Sequence, residues 1–151
     1  MKKIKILLVV FGLFLITGCG NKVKEVGTID SFRDITTGKE LIATDNIGKY
    51  SVDYIKEAMV ATGDELEIEM IIYDSSDNAN KIQESHINSF MNMKSTGAII
   101  KKDTGKNYYK YTMISNGYYL VTSRVDNTLI FTKTLLKNKD LVDSILDEMK
   151  Y

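Results

Sequence analysis

The chain holds few side chains that could serve as nucleophiles or bases. Cys19 is the only cysteine and His86 the only histidine among its 151 residues. A general base needs its nucleophile within about 3 Å, and Ser85 and Ser89 beside His86 show no strained turn resembling a nucleophile elbow. The helical stripe that contains His86 is otherwise apolar, so we expect this ring at the margin of the core with one nitrogen hydrogen-bonded. A catalytic His86 is the alternative.

Oxygen-bearing side chains cluster at Asp74, Asp77, Asn78 and Asn80, where a predicted strand gives way to a helix. Such ligands at close spacing would suit calcium. The Asp74–Asn80 cluster nevertheless lacks the Gly and Glu positions of an EF-hand loop, and helix capping uses the same residue types. One histidine and no free cysteine give little support for zinc. We therefore expect a capped helix start and no cofactor, with a metal site as the alternative.

Tyrosines concentrate on two strands joined by Asn116-Gly117, a dipeptide typical of hairpins. Side chains alternate between the two faces of a strand, so the tyrosines are distributed over both faces of the sheet. A three-residue loop with a bulge would pair different residues across the two strands than a two-residue turn does. In either register we expect one face to carry tyrosines that the helices leave uncovered, suited to binding a protein or glycan. Cross-strand stabilisation is the alternative role. With a two-residue turn, the predicted binding residues on one face are Tyr108, Lys110 and Tyr119, opposite a face with Tyr109, Tyr111, Tyr118 and Arg124.

The elements that must position these side chains follow from periodicity and turn residues. Residues 66–72 form the clearest strand, because apolar side chains alternate with Glu65, Glu67 and Glu69. Connections are short everywhere except through the central helix, which predicts an α+β fold with an antiparallel sheet of about five to six strands and helices packed on one face. The other predicted elements are helices at 30–37, 74–93 and 139–149 and strands at 57–62, 98–101, 108–114, 118–125 and 129–134.

The charge balance excludes some partners. The chain has 20 basic and 20 acidic residues, and from Cys19 onward 17 basic residues face 20 acidic ones, a formal charge of −3. Phosphate binding needs a basic face, so nucleic acid is not an expected partner. A single cysteine cannot form a disulfide within the chain, so the fold must depend on its apolar core.

The N-terminal segment has the three parts of an export signal. Lys2, Lys3 and Lys5 precede an apolar run over residues 6–16 that is interrupted only by Gly12. A helix that spans a bilayer needs about 20 apolar residues, so this run is a poor transmembrane anchor. The segment is typical of a signal that is cleaved after export.

The motif Ile16-Thr17-Gly18-Cys19 resembles the lipobox of bacterial lipoproteins. The resemblance implies cleavage before Cys19 and a thioether-linked diacylglycerol on its sulfur, and two acyl chains anchor a protein stably. We accordingly expect residues 1–18 to be a lipoprotein signal peptide, 19–27 a lipid-anchored tether and 28–151 a single α+β domain.

Two further segments, 58–73 and 116–130, resemble small lipoproteins of Gram-positive bacteria (Firmicutes). That family has no assigned activity, and the resemblance implies an exported location and a fold. We expect a non-enzymatic envelope accessory or binding module on the extracytoplasmic face of the cell membrane, with a protein or wall polymer as partner. The alternatives are an extracytoplasmic hydrolase or metal-dependent enzyme using His86 or the Asp74–Asn80 cluster, and a membrane-held inhibitor or immunity protein.

Overall fold

A computed structural model describes residues 22–151. The predicted signal peptide and Cys19 lie outside the described residues. Among residues 22–151, no helix combines the length and apolar character needed to cross a bilayer.

The described chain folds into three α-helices and one seven-stranded sheet. Every neighbouring pair of strands is antiparallel, in the order β1-β2-β3-β7-β6-β5-β4. The predicted α+β class and antiparallel sheet are confirmed, although the sheet exceeds the predicted five to six strands. In chain order the elements are α1 (Ile29–Gly38), β1 (Ile42–Asp45), β2 (Ile55–Gly63), β3 (Leu66–Tyr73), α2 (Ser76–Asn92), β4 (Ile99–Thr104), β5 (Tyr108–Ser115), β6 (Tyr118–Val125), β7 (Thr128–Leu135) and α3 (Lys139–Glu148).

The strand that sequence reasoning missed is β1, at one edge of the sheet. Its four residues pair with β2 but remain largely exposed, and Ala43 is the member that packs against the core. Four residues are too few to show a hydrophobic alternation. The strand therefore depends on its tertiary partner rather than on a local sequence signal.

The helices lie on both faces of the sheet, so the prediction of helices on one face is wrong. α1 and α3 pack on the first face, which we call face A, through a core cluster that includes Phe32 and Ile145. α2 packs on the opposite face, face B, through Ala79 and Phe90. The physical reason lies in the central strands, where consecutive apolar residues such as Leu120-Val121 point to opposite faces and are both fully buried. Such strands need cover on both sides.

The hairpin between β5 and β6 has the two-residue turn that Asn116-Gly117 predicts. Ser115 pairs with Tyr118 across the turn, and Asn116 and Gly117 both have positive φ, 51° and 79°. Positive φ at both central residues is the requirement of a type I′ turn. This register sends Tyr108, Lys110 and Tyr119 to face A, and Tyr109, Tyr111 and Tyr118 to face B.

Candidate functional site

A groove of about 370 Å³ opens on face A between α3 and the strands β4 and β5. α3 covers the sheet as far as β6, where it contacts Tyr119, while β4 and β5 extend beyond the helix. β4 is an edge strand, and its outer side has no strand partner among residues 22–151. The groove is therefore a part of the sheet face that the helices leave open.

The floor of the groove changes from apolar to charged along β4. Ile99 of β4 pairs with Ile114 of β5 at one end and is 54% exposed. At the other end Asp103 pairs with Lys110. Four residues of strand separate the two ends, a length of about 13 Å. A ligand along this floor would meet an apolar patch and an ionic patch in succession.

The helical wall of the groove is a hydrogen-bonded set centred on Asp143. The Tyr119 hydroxyl donates to Asp143 Oδ1 at 2.6 Å, and Lys139 Nζ donates to Asp143 Oδ2 at 2.6 Å. Burial alone would raise the pKa of Asp143, but hydrogen bonds from Lys139 and Tyr119 outweigh it and hold this pKa below its ordinary value. Burial and the bond to Asp143 raise the pKa of Tyr119. At neutral pH the wall thus presents a fixed carboxylate and a neutral phenol.

The charged end of the groove is anchored by contacts to neighbouring segments. Lys110 Nζ donates to the main-chain oxygen of Tyr151 at 3.4 Å, and the Tyr108 hydroxyl donates to Asp103 Oδ1 at 3.1 Å. The ammonium of Lys24 lies 4.4 Å from the centre of the Tyr108 ring, a cation–π contact. Burial lowers the pKa of Lys24, and the charge of Asp103 opposes that effect.

The predicted binding residues lie here, but the predicted surface of uncovered tyrosines requires correction. Tyr108 and Tyr119 are only 3% and 4% exposed, because both belong to the core cluster beneath α1 and α3. Lys110 and Tyr119 line the groove, whereas Tyr108 lies beside it. Alternation along the strands assigns these residues to a face, but it does not show how far α3 covers that face. Ile99 and Asp143 were therefore missed as lining residues.

His86 occupies the margin of the core, as its apolar stripe predicts. Its ring lies 4.0 Å from the ring of Phe131, and Nδ1 lies 3.5 Å from the Thr122 hydroxyl, a long contact for a hydrogen bond. Burial lowers the pKa of His86 to about 4, so the ring is neutral at pH 7. Thr122 is fully buried, which puts the hydroxyl beside His86 out of reach of a substrate.

The Asp74–Asn80 cluster forms the start of α2. Ser75 is the N-cap and accepts from the Asn78 backbone amide at 3.3 Å. Asp74 Oδ1 accepts from Asn78 Nδ2 at 2.8 Å and from the Ser75 hydroxyl at 3.0 Å, and these bonds hold the pKa of Asp74 below its ordinary value. Asn80 donates to Glu84 along the helix. Within residues 22–151, no three or more His, Cys, Asp or Glu side chains are grouped so as to hold a metal ion.

A buried glutamine that sequence reasoning did not single out fixes α2 on face B. Gln83 is fully buried, and its Nε2 donates to the carbonyl oxygens of Tyr109 at 2.7 Å and Thr122 at 3.3 Å. Its Oε1 accepts from Arg124 Nε at 3.2 Å. The side chain joins α2 to β5 and β6, which positions the strand that forms part of the groove floor.

Residues 22–27, which were expected to belong to a tether, lie against the domain, and we call them the N-terminal strap. The carbonyl oxygen of Lys22 accepts from the backbone amide of Lys106 at 2.9 Å. Asn107 makes two hydrogen bonds to the main chain of Lys24. The Lys24 amide donates to Asn107 Oδ1 at 2.9 Å, and Asn107 Nδ2 donates to the Lys24 carbonyl oxygen at 2.8 Å. The Gly27 amide donates to the Tyr151 hydroxyl at 3.2 Å. The strap therefore runs from the β4–β5 turn to the start of α1.

Neither a protein family nor a curated protein matches this chain. Among solved structures, a GTP binding regulator from Thermotoga maritima is similar, with 14% sequence identity and a TM-score of 0.47 over 81% of this chain and 87% of that one. A similarity at that level shows nothing about the function of this chain.

Proposed function

We propose that this protein is a non-enzymatic lipoprotein, anchored through Cys19 on the extracytoplasmic face of the cell membrane, and that the groove is its binding surface. The lipobox-like motif ending at Cys19 supports the anchor. The observation that carries the binding role is the groove itself. It is a part of face A that α1 and α3 leave open, with the exposed side chain of Ile99 at one end.

The groove favours an extended protein segment as its occupant. An extended chain can add to a free sheet edge through main-chain hydrogen bonds, with alternate side chains entering neighbouring pockets. The outer side of β4 offers such an edge, and its side chains Ile99, Lys101 and Asp103 face the groove. Lysines on an edge strand discourage pairing with a second copy of the same edge. A partner with an apolar residue followed by charged residues would complement this order.

The alternatives differ in their support. A membrane-held inhibitor or immunity protein would use the same groove, so only the identity of the partner separates it from an envelope accessory. A wall polymer as partner would use the polar end. The contacts of His86 and of the Asp74–Asn80 cluster do not favour the hydrolase or metal-dependent alternative. The hydroxyl beside His86 belongs to the buried Thr122. The bonds within the Asp74–Asn80 cluster cap the start of α2.

Photo-crosslinking in the native host tests the binding role. A photo-reactive amino acid in place of Ile99 should yield a discrete adduct, which mass spectrometry then identifies as a protein or a polymer. The matched control replaces Ile42, which is 71% exposed on the opposite edge strand β1 and should yield no such adduct. A further variant, Ile99 probe with Lys110→Glu, should lose the adduct. Equal adducts from both edges, or none from Ile99, would contradict the proposal.

A further inference from the structure

The N-terminal strap limits how far the domain can move from Cys19. Lys22 is three residues after Cys19, and the strap is docked from Lys22 onward. Three residues span at most about 11 Å even when fully extended. A flexible tether over residues 19–27 would have allowed the domain to rotate freely. Because the strap is docked, only the three residues from Cys19 to Lys22 link the domain to the proposed anchor, and this link is too short for the domain to turn over.

The contact between the strap and the β4–β5 turn is close enough to require a glycine. A Cβ atom built on Gly105 would overlap both the Lys22 carbonyl oxygen and the Tyr108 ring. The Gly105 amide donates to the Tyr108 carbonyl at 3.1 Å, which closes the turn beneath Lys22. The position of Lys22 is therefore set by main-chain contacts on the turn, in addition to the two bonds that Asn107 makes with Lys24.

The sheet has two distinct ends, and the strap is docked at one of them. The β4–β5 turn and the β6–β7 turn lie together at the first end, where Asp126 donates its amide to the Asn107 carbonyl. The β2–β3 and β5–β6 turns lie at the second end, where Leu136 donates its amide to the Gly117 carbonyl. Strands β5, β6 and β7 have eight residues each, so the two ends are about 26 Å apart.

We propose that the end of the sheet formed by the β4–β5 and β6–β7 turns faces the bilayer, and that the docked strap enforces this orientation. The inference rests on the proposed lipid at Cys19. Because the three residues from Cys19 to Lys22 span at most about 11 Å, the first end stays close to the lipid headgroups, and the orientation that we propose places the second end away from them. Lys22 and Lys106 are exposed at the first end, so the surface that meets the headgroups is polar there.

This orientation also places the groove relative to the membrane. Its charged end, with Asp103 and Lys110, adjoins the β4–β5 turn, and its apolar end at Ile99 is about 13 Å further out. A partner segment would therefore bind with one end close to the headgroups. Such a geometry suits a membrane protein, or another membrane-anchored chain, whose segment emerges beside the bilayer.

Quenching of site-specific dyes by headgroup-labelled lipid tests the orientation. The full chain, processed and lipidated in a bacterial host, is placed in vesicles of phosphatidylcholine and phosphatidylglycerol that contain a nitroxide-headgroup lipid. A dye is attached through Lys106→Cys at the first end or through Asp64→Cys in the β2–β3 turn at the second end. A thioether on Cys19 does not react with maleimide, so the dye should label the introduced cysteine alone.

We expect strong quenching of the Lys106→Cys dye and little quenching of the Asp64→Cys dye. Adding Asn107→Ala, which removes both bonds to Lys24, or an eight-residue Gly-Ser insertion before Lys22 should reduce that difference. Asn80→Ala, on the exposed side of α2, is the matched control and should leave it unchanged.

Each outcome decides one question. Equal quenching at the two positions, with the wild type inert to maleimide, would overturn the orientation while leaving the lipid anchor intact. Labelling of wild-type Cys19 by maleimide would overturn the anchor, and the orientation with it. A quenching difference that survives the long insertion would show that the strap does not enforce the orientation.

Discussion

The stability of the domain should fall on mild acidification because His86 is held neutral in the folded state. Burial lowers its pKa to about 4, whereas an exposed histidine titrates near 6.5. Between these two values the unfolded chain binds a proton on His86 that the folded chain does not bind. The free energy of unfolding therefore decreases as the pH falls through this window, the opposite of a histidine that gains an acidic partner.

The magnitude follows from the difference between the two pKa values. A difference of about 2.5 pH units at 1.36 kcal/mol each gives an upper limit of about 3 kcal/mol. Carboxylates such as Asp74 and Asp143, whose pKa values are lowered, lose their stabilising contribution only below the unfolded pKa of about 3.9. The pH range in which His86 changes the free energy of unfolding therefore lies above the range in which these carboxylates do, so the two effects can be measured separately.

Urea denaturation followed by circular dichroism, from about pH 7 to pH 4.5, measures this loss on a soluble chain that begins at Gly20. The control is His86→Gln, which keeps a polar side chain beside Phe131 and cannot titrate in this range. We expect the wild type to lose about 2–3 kcal/mol over the interval and the variant to lose much less. Equal losses in the two proteins would refute the conclusion that His86 is buried and neutral.

Other variants test the packing that positions the groove. Asp143→Ala leaves the Tyr119 hydroxyl without its acceptor and should lower the free energy of unfolding by about 1–2 kcal/mol, whereas Asp140→Ala, with a fully exposed side chain, should change it by less than about 0.5 kcal/mol. Gln83→Leu leaves the Arg124 guanidinium and two carbonyls short of partners, with an expected loss of about 2–3 kcal/mol in the same urea assay; a loss within error would show that water replaces the amide. Gly105→Ala should displace Lys22 and speed hydrogen exchange at the Lys24 amide, while Gly48→Ala, which meets nothing within 4 Å, should leave that exchange rate unchanged.

The elements that sequence alone identifies are those with a repeating local signal. β3 shows the predicted alternation, since Leu66, Ile68 and Met70 are buried while Glu65 and Glu67 are exposed. The Asn116-Gly117 turn sets the register of the tyrosine hairpin, because few residues adopt positive φ readily. These features depend on neighbours in the chain, which is why they can be predicted without a tertiary structure.

Features that depend on distant segments were not predictable in the same way. β1 has no local signal and forms because β2 offers an edge. The position of α2 on face B follows from consecutive buried residues in β6 and β7, a pattern that also fits a partly covered sheet. The groove depends on where α3 stops along face A, and no residue of β4 or β5 encodes that limit.

The tyrosines show that the sequence can assign a side chain to one face of the sheet without showing whether other segments bury that face. Alternation correctly groups Tyr108, Lys110 and Tyr119 on one face. Their burial depends on α3 and on the strap, which are far from the hairpin in sequence. The strap itself reads as a short polar linker, because the main-chain bonds that hold Lys22 and Lys24 leave no pattern in residue type.

The measurement that tests the central claim most directly is mass spectrometry of the intact protein extracted from membranes of its native host. The proposed function predicts a mature chain that begins at Cys19 and carries the added mass of a diacylglycerol on its sulfur. A free thiol at Cys19, or a mature N-terminus at another residue, would contradict the lipid anchor and the orientation that depends on it.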